Sequence, residues 1–318
     1  MEVKFHMPGL RQNFPLNMLM ISYLEQEPEI FRDGVVIASN YGEFPTSLWN
    51  GGRPSNYDQC DKEYITNVVH AINSKNVAVR YTYTNMTLCK ADCDDSYCNF
   101  CMQTADNGMN GVILFSPILE KYIRKNYPSF KIISSTCKEL RTIERVKEEL
   151  AKDYDLVVLD YNFNNKFDIL EQISEADRSR VEILVNALCI PDCPRRGEHY
   201  RNIADNQRIM LRNRNLPKEK QQPLKPWHCE YGEYNSLYDS MSYSTHVSPE
   251  DIWEKYVPMG FNNFKIEGRT GNLFSLVETY CHYLIKPEHQ GKARIKLLNN
   301  LASNKIITVH HPQPKSFQ

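Results

Sequence analysis

The chain lacks the usual marks of export and of membrane insertion. Its N-terminus, MEVKFHMPGLRQNF, has no basic stretch leading into an apolar one, and no apolar run approaches the roughly 20 residues that span a bilayer. The expected location is the cytoplasm. Net charge is nearly absent too: 38 lysines and arginines stand against 39 acids, a formal balance of -1. That balance argues against wide coverage of nucleic acid. A basic run from 195 to 220 keeps nucleic acid from being excluded, although such a run is most often a solvated helix face. Also absent are G-x-G-x-x-G after the first strand-like run, a Walker A sequence, H-E-x-x-H and G-x-S-x-G. Their absence removes the common dinucleotide and nucleotide cradles, the zinc-protease helix and the serine-hydrolase elbow.

What is present is a chain of 318 residues, 41% hydrophobic and 24% charged, enough for a core of normal size. Short strand-like runs keep returning: VKFHM (3–7), VVIASN (35–40), VAVRYT (77–82), VILFS (112–116), KIISST (131–136), LVVLD (156–160), EILVN (182–186) and FKIEG (264–268). Each is followed by helical spacing. Ser116-Pro117 and Ser248-Pro249 set a capping hydroxyl before a proline at the first helical position, and Ile143, Val146 and Leu150 fall on one helix face. Eight alternations predict an α/β chain folded as one (β/α)8, TIM-barrel-like domain over 1–318. A long inserted loop is expected at 212–247 before the last strand, and a helical extension at 287–318. The rival, a doubly wound open sheet, is disfavoured by the missing glycine fingerprint.

Barrel sites lie at the C-terminal ends of strands, so the residues that finish each run are informative. These are polar: Asn40, Tyr41 and Glu43 after the second, Asn85 after the third, Ser134 to Thr136 after the fifth, Asp160 and Asn162 after the sixth. Asn186 and Cys189 follow the seventh, and Glu267 and Arg269 the eighth. Each alone reads equally well as a turn or cap, but together they predict a polar mouth. The expected catalytic set is Asp160, Asn162, Asn186, His199 and Glu267, with Arg269, Lys265, Arg196 and Asn85 meeting the substrate.

Two segments carry a family resemblance. EILVNALC (182–189), a Glu-led apolar strand running into a small residue and a cysteine, resembles the signature of the collagenase-like peptidase family. FKIEGR (264–269) is similar to that family's later segment, in the expected order. The resemblance covers about residues 130–285 and implies a barrel. It also implies a [4Fe-4S] cluster on cysteines and oxygen-independent hydroxylation of ubiquinone, tRNA or ribosomal RNA. Two departures stand out: Cys193 follows Cys189 more closely than the family spacing, and the family's later Gly-x-Cys and Cys-Arg pair is absent.

Ten cysteines in a reduced compartment point to metal, cluster or burial rather than disulfides. Cys189, Cys193 and Cys229 are the candidate ligands of a [4Fe-4S] cluster, with Cys137 as a possible fourth. Zinc, completed by His228 or His199, is the alternative, and buried free thiols are the bland one. Cys60 and Cys281 are expected in helices, away from the mouth. Cys89, Cys93, Cys98 and Cys101 lie within 13 residues; their spacing fits no standard metal run, and Cys98 and Cys101 share a helix face that Asp94, Asp95 or Ser96 caps. In KIEGRTGN (265–272), Gly268 and Gly271 permit close backbone approach and Arg269 offers a bidentate grip on an anion, unless it merely ties the rim through Glu267.

The expected function is an iron–sulfur barrel enzyme, hydroxylase-like, that modifies a small anionic substrate or a macromolecule with electrons from a separate donor. The alternatives are a non-catalytic metal-binding scaffold or partner-binding module and, further off, a peptidase using Cys189 and His199.

Overall fold

The computed structural model describes residues 1–51, 59–231, 236–269 and 272–307. Strands form where apolar residues alternate with residues that point inward. They are β1 (Val3–Pro8), β2 (Val35–Gly42), β3 (Ala78–Tyr83), β4 (Gly111–Leu114), β5 (Lys131–Ser134), β6 (Leu156–Val158), β7 (Val181–Leu184) and β8 (Asn263–Lys265). All pair in parallel and in chain order, and β8 closes on β1 through Lys4–Asn263, Phe5–Phe264 and His6–Lys265. The barrel expected from the sequence is present, although β4 to β8 stop two or three residues short of the apolar runs that announced them.

Helices α1 (Phe14–Gln26), α2 (Lys62–Asn73), α3 (Ser96–Thr104), α4 (Pro117–Asn126), α5 (Ile143–Leu150), α6 (Phe167–Leu170) and α7 (Glu175–Arg178) connect the first seven strands. Between β7 and β8 lie α8 (Arg196–Asn213), α9 (Leu237–Met241) and α10 (Pro249–Asp251); α11 (Leu273–Leu284) and α12 (Gln290–Ser303) finish the ring. Ser116 and Ser248 cap their helices as the Ser-Pro pairs predict, and Asp95 accepts from the Cys98 amide to cap α3. Cys281 lies in α11, whereas Cys60 precedes α2 rather than standing in a helix, because Asp61 takes the cap. The segment expected as a loop at 212–247 runs on from the end of α8 and holds α9; residues 232–235 of it, Gly271 and 308–318 of the C-terminal extension lie outside the described residues. Among the described residues no helix is long and apolar enough to cross a membrane.

The two faces of the sheet differ. Outward side chains such as Phe5, Val79, Tyr81, Val112, Val157, Ile183 and Phe264 join the helices in the main core. Inward, Tyr41, Ile113, Ile133, Leu156 and Val158 make a separate apolar cluster. The rest of the interior, from β1, β3, β7 and β8, is polar, with His6, Arg80, Glu182 and Lys265 buried there.

Candidate functional site at the barrel mouth

Glu182 of β7, fully buried, is the hub of the interior. Arg80 of β3 makes a short ion pair with it, Lys265 of β8 stands 3.1 Å away and His6 of β1 3.5 Å away. Burial works against the Glu182 charge, but Lys265, His6 and Arg80 together hold its carboxyl well below the usual range. Burial also pulls the Lys265 and Arg80 cations down. His6 is pushed down to about 3, first by burial and then by Arg80. Its ring nitrogens face the Ser39 hydroxyl at 2.8 Å and the Asn263 amide oxygen at 3.1 Å. A neutral ring protonated on Nε2 satisfies both.

Above this floor the strand ends interlock. Arg269 donates to Glu43 (2.7 Å) and Thr82 (2.6 Å), and Thr82 donates to Glu43 (2.6 Å). Tyr41 donates to the Ile266 carbonyl at 2.6 Å and lies under the Lys265 ammonium, 4.2 Å from the ring centre. The rim pair anticipated between Arg269 and Glu267 is thus an Arg269–Glu43 pair across the mouth. Glu267 instead accepts from the Leu188 amide at 3.0 Å, while its backbone exchanges hydrogen bonds with the Asn186 side chain at 2.7 and 3.1 Å. Gly268, at φ +148°, takes a conformation that suits glycine, and its carbonyl accepts from Asn13 in the loop after β1.

Helix α8 lies across this mouth. At one end Arg196, 2% exposed, forms a short ion pair with Asp160, lies 3.6 Å from Glu139 and stacks 4.6 Å over the Tyr161 ring. At the other end Gln207 donates to the Ser47 carbonyl, Arg208 pairs with Asp92, and Arg214 reaches Gln59. The helix therefore bridges the ends of β5 and β6 to the loops after β2 and β3. Its first turn sits close: a Cβ on Gly197 would come within 2.8 Å of Glu139 Oε1, and Glu139 holds a left-handed φ of +48°. Such strain at a strand end marks a constrained rim. Arg196, Arg208 and Arg214 of the basic run are engaged in these internal contacts. Asp160→Asn should leave Arg196 buried with Glu139 as its remaining acid. The expected cost is about 1 to 3 kcal/mol in urea unfolding; an unchanged midpoint would show that the pair does not hold α8.

Beside α8 a cavity of about 520 Å³ opens at the ends of β4 and β5. Met86 and Phe115 give it apolar walls, and the rest of its lining is polar, with the bases Lys138, Arg201 and Lys225 set among the acids Glu139, Glu198 and Asp205. Lys138 is tied to Glu149 at 2.6 Å and Lys225 to Asp205 at 2.6 Å; no described ion pair engages Arg201.

The cysteines divide into two places. Cys98 and Cys101 face inward from α3, fully buried, with Cys93 nearly so and Cys89 exposed. Burial pushes Cys101 up to about 12, as expected of core thiols. At the mouth the Cys189 and Cys193 side chains lie next to one another. The segment bearing Cys229 is pinned over the same loop by Arg195, which donates to the His228 carbonyl and pairs with Glu230. Among the described residues, however, no three cysteine, histidine or acidic side chains are grouped so as to hold a metal. A [4Fe-4S] cluster needs three or four thiolates converging, and among the described residues no third ligand is grouped with Cys189 and Cys193. The arrangement does not fit the cluster.

The other expected residues fall as follows. Asn162 accepts from the Asp192 amide at 2.9 Å, and Asn85 shapes its own turn through Leu48 and Thr87. The His199 ring stacks on Trp227, with ring centres 4.9 Å apart, and Arg195 covers Trp227 from 4.4 Å. Asn186 and Glu267 line one small void, whereas Asp160 is engaged by Arg196. All follow the C-terminal ends of their strands. The sequence reading missed His6, Arg80 and Glu182 as a set and Arg201 as a cavity residue. A signal for the first three exists: each is an ionisable residue inside an apolar strand run.

No family model matches the chain. Over 106 residues it is 27% identical to an uncharacterized protease of Methanocaldococcus jannaschii; that stretch is 33% of this chain and 31% of that protein's length. The solved structure of a U32 peptidase superposes with a TM-score of 0.45 and 14% identity, covering 84% of this chain and 92% of that one. The chain is thus similar over about a third of its length to one protein named as a protease, and its EILVNALC and FKIEGR segments resemble the collagenase-like peptidase family.

Proposed function

We propose that the barrel binds a small anionic substrate in the mouth cavity beside α8, with Arg201 meeting its charge. One observation carries this reading: Arg201 lines the cavity with no described ion pair, while the neighbouring cations Lys138 and Lys225 are already matched to acids. The Met86 and Phe115 walls suit an apolar body behind the charged group, and the acids that also line the cavity, Glu139, Glu198 and Asp205, are each engaged by another cation in Arg141, Arg195 and Lys225. Arg269, by contrast, is spent on Glu43 and Thr82 and serves the rim.

The similar proteins are named as proteases, and a short peptide ending in a free carboxylate is one ligand of this kind. Hydrolysis of a peptide bond requires a nucleophile with a base in reach. Cys189 is held by Tyr161 and Cys193, while the His199 ring is stacked on Trp227, so the reading stops at binding of the anion.

Calorimetric titration with dicarboxylates, phosphates and short peptides tests it. Arg201→Gln should weaken binding by about 1.5 to 3 kcal/mol, the worth of a charged hydrogen bond, with the thermal midpoint unchanged because the side chain is exposed. Equal affinity in parent and variant, or no anion binding by the parent, would sink the reading.

A further inference from the structure

The loop after β7 brings two thiols together. Between Cys189 and Cys193 the chain turns through Asp192, whose φ of +52° is left-handed, and this reversal folds Cys193 back onto Cys189. The turn is fixed from both sides: Asn162 accepts from the Asp192 amide at 2.9 Å, and Arg141 donates to the Cys193 carbonyl at 3.3 Å. Cys193 is buried, at 6% exposure, whereas Cys189 is half-buried.

Next to the pair stands Tyr161. Its hydroxyl donates to the Ile190 carbonyl at 3.2 Å and touches the Cys189 thiol, and its ring carries the Arg196 guanidinium that pairs with Asp160. The thiols, Tyr161 and the first turn of α8 thus form one contact chain. We propose that Cys189 and Cys193 are a redox-active pair that closes to a disulfide, and that closure loosens the first turn of α8 over the mouth. This does not rest on the anion reading, and it stands in place of the cluster that the family resemblance implies.

The oxidant is a low-molecular-weight disulfide such as oxidised glutathione. The thiolate of the reachable Cys189 attacks one of its sulfurs, forming a mixed disulfide and releasing one glutathione thiolate. Cys193 then attacks the Cys189 sulfur and releases the second. One S–S bond breaks and one forms, the protein pair loses two electrons, and its two protons leave with the glutathiones.

Trypsin should release 181–195 as one peptide holding both cysteines. After treatment of the full chain with oxidised glutathione and then iodoacetamide, that peptide should be unalkylated and lighter than its dithiol form by two hydrogen atoms. Cys193→Ser should instead trap glutathione on Cys189, and Cys137→Ser should behave as the parent. Amide exchange over 196–203 should become about tenfold faster in the closed form, as a locally loosened turn requires. The pair is overturned if both cysteines remain alkylated, if either bonds to Cys137 or Cys229, or if anaerobically purified protein holds iron and sulfide on them. Closure with unchanged exchange over 196–203 overturns the coupling to α8.

Discussion

Glu182→Gln is expected to destabilise the protein by about 3 to 5 kcal/mol, the cost of removing one partner from a buried ion pair. The carboxylate is fully buried and is the shared counter-charge of Arg80 and Lys265. Glutamine keeps the shape and can still accept a hydrogen bond, but it leaves two cations facing each other in a closed interior. The parent's advantage should begin to shrink in acid, by about 1.4 kcal/mol per pH unit below the unfolded value. Glu182 is held well below an ordinary carboxylate value, so its contribution is present above the unfolded value, near 4.3, and is lost as pH falls below it. Urea midpoints for both proteins at pH 7 and pH 3.5 measure this. Equal midpoints at pH 7 would mean that the cations discharge or find other partners.

The second large effect is an acid limb that starts earlier. His6 is pushed down to about 3 by burial and by Arg80, while an unfolded histidine titrates near 6.5. Below 6.5 the unfolded chain takes up a proton that the folded one refuses. Stability should therefore be full above pH 6.5 and fall by about 1.4 kcal/mol per unit as pH drops toward 3. His6→Asn removes this group while leaving a polar side chain between Ser39 and Asn263. It should be less stable than the parent at pH 7 but show a shallower decline between pH 6.5 and 4.5. Some slope will remain, because burial and His282 also push His246 down, to about 4. An undiminished slope in the variant would clear His6.

The barrel was legible because its strands are covered on both faces, so that runs such as VVIASN and LVVLD stand out as apolar and the spacing between them is helical. Helix starts were legible wherever a serine preceded a proline. The partners of polar residues were not. Arg269 meets Glu43 rather than Glu267 because the ends of β8 and β2 face each other across the mouth, a relation set by barrel curvature and strand stagger that no local pattern records. The position of α8 was hidden for a similar reason: its basic residues look like a solvated face until Asp160, Asp92 and Gln59 are seen beneath them. The cysteines misled differently. Spacing could show that Cys189 and Cys193 lie on one loop, but whether Cys229 converges with them depends on how the segment after α8 returns.

The interior charges have a consequence for how the barrel comes apart. Glu182, Arg80 and Lys265 are contributed by β7, β3 and β8, and the neutral His6 beside them by β1, so a half-built barrel strands them on separate pieces. The seam itself joins Lys4 to Asn263, nearly the full length of the chain apart, and loop-closure entropy must be met before that contact returns anything. A partly opened barrel would expose unmatched charge to no benefit, which removes a reason for intermediates to persist. The charged floor thus acts as a test of completion, making the last strand's arrival the event that commits the chain and tying all eight strands into one cooperative unit.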